Sequence, residues 1–330
     1  MVDYKYFENL SLAESKQLVD QLFVEIKERD QVEDILLYLA LFTNGECLKD
    51  IYPTLIEKKC FDTPEIYKHA DSAIADQLIQ LVESNGGNTN YLLMCLAWIG
   101  TQNVIDFFNV STERKPRWAK KLYVLPKEYS NQAGWDIMAD GTRRMLISQD
   151  VKALKNRSEL TPSNSDIPTF MPQEKDCPFC ASKLTMVFAI PIDDSIIEFT
   201  TCLLCSCYEP VFMRIDKDGK CLWHEKNTKW EHFDGSLEMD PIAENTLILS
   251  DEYRKPEYTI SPYTEISKSQ IGGYPTWIQD AEYLNCPDCG DKMDFIGQID
   301  MEDVEEYGEG LYYFQYCRKC RITGVNYQQT

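Results

Sequence analysis

Eight of the chain's thirteen cysteines fall into two sets of four. Cys177 and Cys180 are followed by Cys202 and Cys205, and Cys286 and Cys289 by Cys317 and Cys320. Two residues between cysteines let both sulfurs of a tight turn point at one centre. Two such turns supply the four thiolates of a tetrahedral structural zinc site. The spacing therefore predicts two bound Zn2+ ions. A closed sulfur shell leaves no position for water or substrate, so this metal is expected to build structure and perform no chemistry. In the first set Cys207 is a second candidate for the fourth ligand, and the CxxC spacing favours Cys205. Cys47, Cys60 and Cys95 lie in apolar helical contexts and read as small core hydrophobes.

Catalytic residues are few. The histidines are His69, His224 and His232. No GxSxG, P-loop or HExxH motif occurs. An enzyme of unrecognised type would place its site near Trp223 and His232, or in a cleft beside Tyr274 and Trp277. In the second segment Gly272 and Gly273 permit unusual backbone angles and Pro275 fixes the turn. Tyr274 and Trp277 add large rings with polar tips. With Gln279, these residues form the candidate binding segment.

The elements that must position the cysteines are β-prone. Short runs at 184–192, 196–201, 211–215, 293–299, 311–316 and 322–327 predict strands, and Lys217-Asp218-Gly219 marks a hairpin turn. Each CxxC pair encloses a strand, an acidic loop and a returning strand, so the two modules read as diverged zinc ribbons. The first 110 residues predict helices. Ser11 and Glu14 form a capping box, and Leu18, Leu22 and Ile26 share one apolar face. Further helices are expected over 32–42, 46–59, 64–84 (with Thr63 as N-cap), 90–99 and 103–108. Residues 156–176 carry three prolines among polar residues and read as a linker. The expected fold is α+β. A HEAT-like helical-repeat domain over 1–155 is followed by a β-rich domain over 177–330, with ribbons at 177–259 and 260–330.

The chain carries 33 basic and 54 acidic side chains, a net charge of −21. Residues 161–330 hold 14 basic against 30 acidic. Nucleic-acid binding needs a basic face, so the charge argues against it and for a basic protein partner. No membrane partner is expected, because no run approaches the length of a spanning helix. The start of the chain lacks the basic and apolar regions of a signal peptide, and the cytoplasm is the expected location.

Residues 269–283, with Cys286-Pro287-Asp288-Cys289-Gly290, Gln298, Tyr312-Tyr313 and the closing Tyr327-Gln328-Gln329-Thr330, resemble the bacterial YwqG-like family, a domain family of unknown function. Its longer members are also similar around Leu96–Gly100 and Gly134-Trp135. Gly272, Gly273, Pro275, Trp277, Cys286, Cys289, Gly290 and Gln298 are more distantly similar to the domain of programmed cell death protein 2. That family is implicated as a dedicated chaperone for a ribosomal protein. The resemblance implies a zinc-supported β-domain that shelters a basic client. The leading expectation is a protein-binding or chaperone-like module, with a toxin-neutralising immunity role as one form of it.

Overall fold

The computed structural model describes residues 4–25, 29–157, 169–217, 219–231, 242–244, 246–260 and 267–329. The chain divides into two compact units, Met1–Met145 and Leu146–Thr330.

The first unit is helical: α1 Tyr4–Glu8, α2 Leu12–Glu25, α3 Arg29–Phe42, α4 Tyr52–Glu57, α5 Ser72–Ser84, α6 Thr89–Ile99 and α7 Gln102–Arg114. The capping box forms as expected. Glu14 Oε2 accepts from Ser11 N–H at 2.8 Å, and Ser11 Oγ accepts from Glu14 N–H at 3.3 Å. The helix expected over 64–84 is broken. Pro64–His69 is a 3₁₀ turn, Ala70 is extended, and α5 starts afresh. Asp71 supplies the start by accepting from the N–H groups of Ala73 and Ile74, so an N-cap inside the apolar pattern splits the helix. The helix expected over 46–59 likewise resolves into a 3₁₀ turn at Glu46–Leu48 followed by α4. The unit closes with a hairpin, β1 Trp135–Ile137 and β2 Arg143–Met145. Trp135 is buried, stacks on Phe108 and donates its indole N–H to Ala97 O at 2.9 Å.

The first unit ends ten residues before the expected end of the helical domain at 155, and the second begins at Leu146. Its strands are β3 Lys152–Asn156, β4 Met171–Asp176, β5 Lys183–Ile192, β6 Ser195–Thr201, β7 Val211–Ile215, β8 Cys221–Trp223, β9 Leu247–Tyr253, β10 Gln270–Ile271, β11 Asp294–Asp300, β12 Leu311–Cys317 and β13 Ile322–Gln328. One short helix, α8 Leu203–Ser206, follows β6. Among the described residues an antiparallel sheet runs β8-β7-β13-β12-β11-β10-β3-β9, and a smaller one runs β4-β5-β6. The six runs expected as strands are present within a residue or two of their expected ends. The span read as a linker is not wholly one: its last six residues form β4, which pairs with β5. Asp218, in the expected hairpin turn, lies outside the described residues, and the β7–β8 pair on either side of it is formed.

The two expected ribbons are not separate bodies. β7 follows the first cysteine set in the chain yet pairs with β13, which follows the second. Phe188, Phe199 and Phe314, from β5, β6 and β12, meet at centroid distances of 4.7–6.1 Å and join the two hairpins in one core. Edge-on aromatic contacts of this kind add about 1 kcal/mol each beyond the area they bury.

Candidate metal centres

The two cysteine turns that open the modules have the same backbone. Cys177 N–H donates to Ser182 O at 2.7 Å, and Ala181 N–H to Cys177 O at 2.9 Å. Cys286 N–H donates to Asp291 O at 2.8 Å, and Gly290 N–H to Cys286 O at 2.9 Å. Ala181 and Gly290 hold the same left-handed position, at φ +63° and +76°. This repeated turn supports the duplication read from the cysteine spacing. The closing turns differ. In the first module Cys202 caps α8, whereas in the second the chain reverses at Arg321, φ +55°, and enters β13.

These turns bring Cys177, Cys180, Cys202 and Cys205 together, and Cys286, Cys289, Cys317 and Cys320, with the sulfurs of each set within 4.8 Å of one another. In the first set Cys177 Sγ lies 3.6 Å from Cys205 Sγ, and Cys180 Sγ lies 3.4 Å from Cys202 Sγ. In the second set Cys289 Sγ lies 3.8 Å from Cys317 Sγ. Four thiolates bonded at about 2.3 Å to a tetrahedral ion stand about 3.8 Å apart, so both sets have the spacing that a metal ion requires. Cys207 is excluded from the first set. Its thiol faces Leu203 O at 3.3 Å and the Tyr312 hydroxyl at 3.2 Å.

The local chemistry also suits a cation. Hydrogen bonds from Cys202 and Cys205 hold the Cys177 thiol far below its usual value, and the same contacts push Cys202 and Cys205 up. Burial raises Cys317 and Cys320. Four sulfurs this close cannot all ionise together unless a positive ion compensates them. Phe179 N–H donates to Cys177 Sγ at 3.5 Å and Cys205 N–H to Cys202 Sγ at 3.4 Å, which supports charged sulfur. Each set is walled by apolar side chains: Leu184, Leu204 and Met213 at the first, Leu284, Met293 and Ile322 at the second. Successive residues of β7 serve both, since Met213 packs at the first centre and Phe212 at the second.

A second tie joins the modules through charge. Asp288, inside the second cysteine turn, receives Arg214 of β7 at 2.8 Å and faces His224 Nε2 at 3.3 Å. Lys226 Nζ donates to Pro287 O. His224 is fully buried, and its Nδ1 accepts from Lys226 N–H at 3.1 Å. His224, Glu225 and Asp288 would also be close enough to hold an ion. The Arg214 guanidinium already occupies that carboxylate, so the group reads as a clamp. On the other side Arg318, in the last cysteine turn, grips both oxygens of Asp193 at 2.7 Å. Asp193 sits in the β5–β6 turn of the first module. Both ion pairs are solvent-facing, so water screens them and each is a weak tie.

The candidate binding segment proves to be part of the packing. Tyr274, Pro275 and Trp277 are buried, and Trp277 packs at a tilt on Tyr313 at 4.6 Å and edge-on against Tyr283 at 5.3 Å. Gly272 and Gly273 have φ near +75° and lie against backbone, as glycines at such angles commonly do. Of the residues expected to floor a groove, Gln279 alone is exposed, and its amide donates to Gln329 O at 2.9 Å. The rings are used up in the core, which leaves little for a ligand to touch. The other expected enzyme site is only partly visible: Trp223 packs edge-on against Phe179, and His232 lies outside the described residues.

Three buried amides have a structural role that the sequence did not assign to them. Gln298, Gln315 and Gln328 lie on β11, β12 and β13 and are almost fully enclosed. Gln298 Oε1 accepts from Thr276 N–H at 2.8 Å, Gln315 Oε1 from Leu284 N–H at 2.8 Å, and Gln328 Oε1 from Gln279 N–H at 3.1 Å. Gln315 Nε2 also donates to Glu282 O and to Asn326 Oδ1, both at 3.0 Å. These side chains act as a substitute strand, satisfying the backbone of a loop that crosses the sheet face. Replacing Gln315 by Leu orphans a buried N–H and two acceptors. The expected cost is about 3 kcal/mol in a denaturant melt, with metal content unchanged.

The chain is 30% identical over 345 aligned residues to the uncharacterized protein YpfL of Salmonella typhimurium, covering 98% of this chain and 79% of that protein. It belongs to the YpfL family. No family model matches the chain, and no solved structure gives a significant match. As a YpfL-family member it is therefore described by its own geometry: two four-cysteine clusters able to hold metal ions within one α+β chain.

Proposed function

We propose that the chain is a zinc-stabilised protein-binding module, chaperone-like in action, whose acidic C-terminal unit receives a basic protein partner in the cytoplasm. The observation that carries this reading is the pair of cysteine clusters. Each offers four sulfurs to one ion and keeps no open coordination position, which is the construction of a structural and not a catalytic site. Zinc is the ion best suited to four thiolates in tetrahedral array. Residues 146–330 hold 17 basic against 32 acidic side chains, and two zinc–tetrathiolate centres would add about −2 each. Such a surface attracts a basic chain and repels a polyanion. The more distant resemblance to the programmed cell death protein 2 domain points the same way, and the helical unit would serve as a repeat-type scaffold for the partner.

An enzyme remains the second reading. The cleft such an enzyme would use, about 490 Å³, is lined by Phe170, Pro172, Lys183, Thr185, Leu203 and Leu204 among others. Its lining includes no histidine or cysteine, and its charged groups are Lys183 and Glu244. Lys183 is already engaged with Asp176 at 2.7 Å. That gives no acid–base pair in a dry site.

Affinity capture from the native host, followed by mass spectrometry, tests the proposal. A near-stoichiometric partner of high isoelectric point, released by raising the salt, is the expected result. Recovery of an acidic partner, or of a basic one that salt does not release, would count against it.

A further inference from the structure

Within this acidic chain, residues 114–127 carry Arg114, Lys115, Arg117, Lys120, Lys121 and Lys127 and no acidic side chain. The rest of residues 1–145 hold 10 basic against 22 acidic side chains, so the basic charge is concentrated in one stretch. The whole-chain balance of −21 conceals it.

The stretch is held in place at both ends. It leaves α7 through Lys115, whose φ of +48° turns the chain off the helix. Trp118 is buried and stacks on Phe107 at 5.7 Å. At the far end Pro126 is buried, Lys127 N–H donates to Thr112 Oγ1 at 3.1 Å, and Leu125 N–H donates to Glu128 Oε2 at 2.8 Å. Between these anchors the chain projects outward. Tyr123 is 101% exposed, Val124 48% and Leu125 40%. Arg114, Lys115, Arg117, Lys120 and Lys121 are exposed too, and none makes an ion pair among the described residues.

An apolar triplet at the tip of an anchored basic loop is costly to keep in water and needs a reason. We propose that residues 114–127 dock peripherally on an anionic phospholipid bilayer. Tyr123, Val124 and Leu125 enter the boundary between headgroups and acyl chains. The surrounding lysines and arginines pair with headgroup phosphates and carboxylates while their aliphatic stems lie along the apolar region. A nucleic-acid strand would satisfy the cations but leave Val124 and Leu125 in water, and Tyr123 would be the single ring available for base stacking. No described helix is long and apolar enough to cross a membrane, so the contact is superficial. At ~0.1 M salt the Debye length is ~10 Å, so the acidic remainder is largely screened while the loop acts at contact.

The test uses the full-length, metal-loaded protein and vesicle sedimentation at ~0.1 M salt. Vesicles of phosphatidylcholine alone are compared with vesicles also containing phosphatidylserine. Binding is expected to the mixed vesicles and to be lost at high salt. The double substitution K120E/K121E should lower partition roughly tenfold or more. The double substitution V124S/L125S should lower it severalfold with the salt dependence retained. All four positions are exposed, and circular dichroism checks that both variants fold. Absence of binding to the mixed vesicles, equal binding to both compositions, or binding that either variant leaves intact would overturn the proposal. So would tighter binding to polyuridine RNA than to the mixed vesicles at the same salt.

Discussion

Removing the metal is expected to unfold the C-terminal unit. A strong chelator at neutral pH, or replacement of Cys286 by Ala, should abolish the cooperative melt of the β signal and expose Trp277 to solvent, seen as a red-shifted, quenchable emission. Structural zinc in small domains contributes on the order of 10 kcal/mol, comparable to the whole stability of a typical domain. The geometry explains why one site should affect the other. Met213 and Phe212 of β7 pack on different centres, and Asp288 in the second cysteine turn holds Arg214 from the same strand. Loss of the first ion releases β7, and with it the edge of β13 and the apolar wall of the second centre. Chelation should therefore give one transition for the β signal, and not two. A melt unaltered by chelator, with metal demonstrably gone, would remove the centres from the stability of the fold.

The second large effect is expected at Gly272. A Cβ built there stands 2.0 Å from the carbonyl oxygen of Asp150, with φ at +77°. The obstacle is backbone, so no rotamer change can relieve it. Gly272 N–H also donates to Ile296 O at 2.7 Å, which holds the residue against β11. The left-handed angle alone costs about 1–2 kcal/mol for an L side chain. Separating β10 from its neighbours to clear the clash costs more. Gly272→Ala should therefore destabilise by about 4 kcal/mol in equilibrium denaturation. A change below ~1 kcal/mol would mean that the close approach of residues 150 and 272 does not exist in solution.

What could be read from the sequence was the part written in spacing and alternation. The cysteine intervals place all eight ligand candidates in two clusters, and the β-prone runs mark β5, β6, β7, β11, β12 and β13. The remainder depends on partners distant in the chain. β3 has the sequence Lys-Ala-Leu-Lys-Asn, which carries no strand signal; it is a strand because β9 and β10 flank it. β10 is two residues long, below any periodicity. Gln298, Gln315 and Gln328 carry no local signal of burial in the sequence. They are buried because a loop with unpaired backbone lies over them, and nothing local encodes that loop's position. Tyr274 and Trp277 carried the opposite error. Large rings beside two glycines suggest a ligand groove, yet the glycines permit close backbone approach and the rings fill the space against Tyr313. In the helical unit, apolar periodicity continued through Asp71 and hid the cap that splits the helix.

The most direct measurement of the central claim is metal stoichiometry by native mass spectrometry on protein purified without added metal or affinity resin metal. The account predicts two zinc ions per chain, at most one after Cys177 and Cys180 are replaced by Ser together, and two ions retained in Cys207→Ser. A wild-type chain that is folded with no bound metal, or a Cys207→Ser variant that loses an ion, would contradict it.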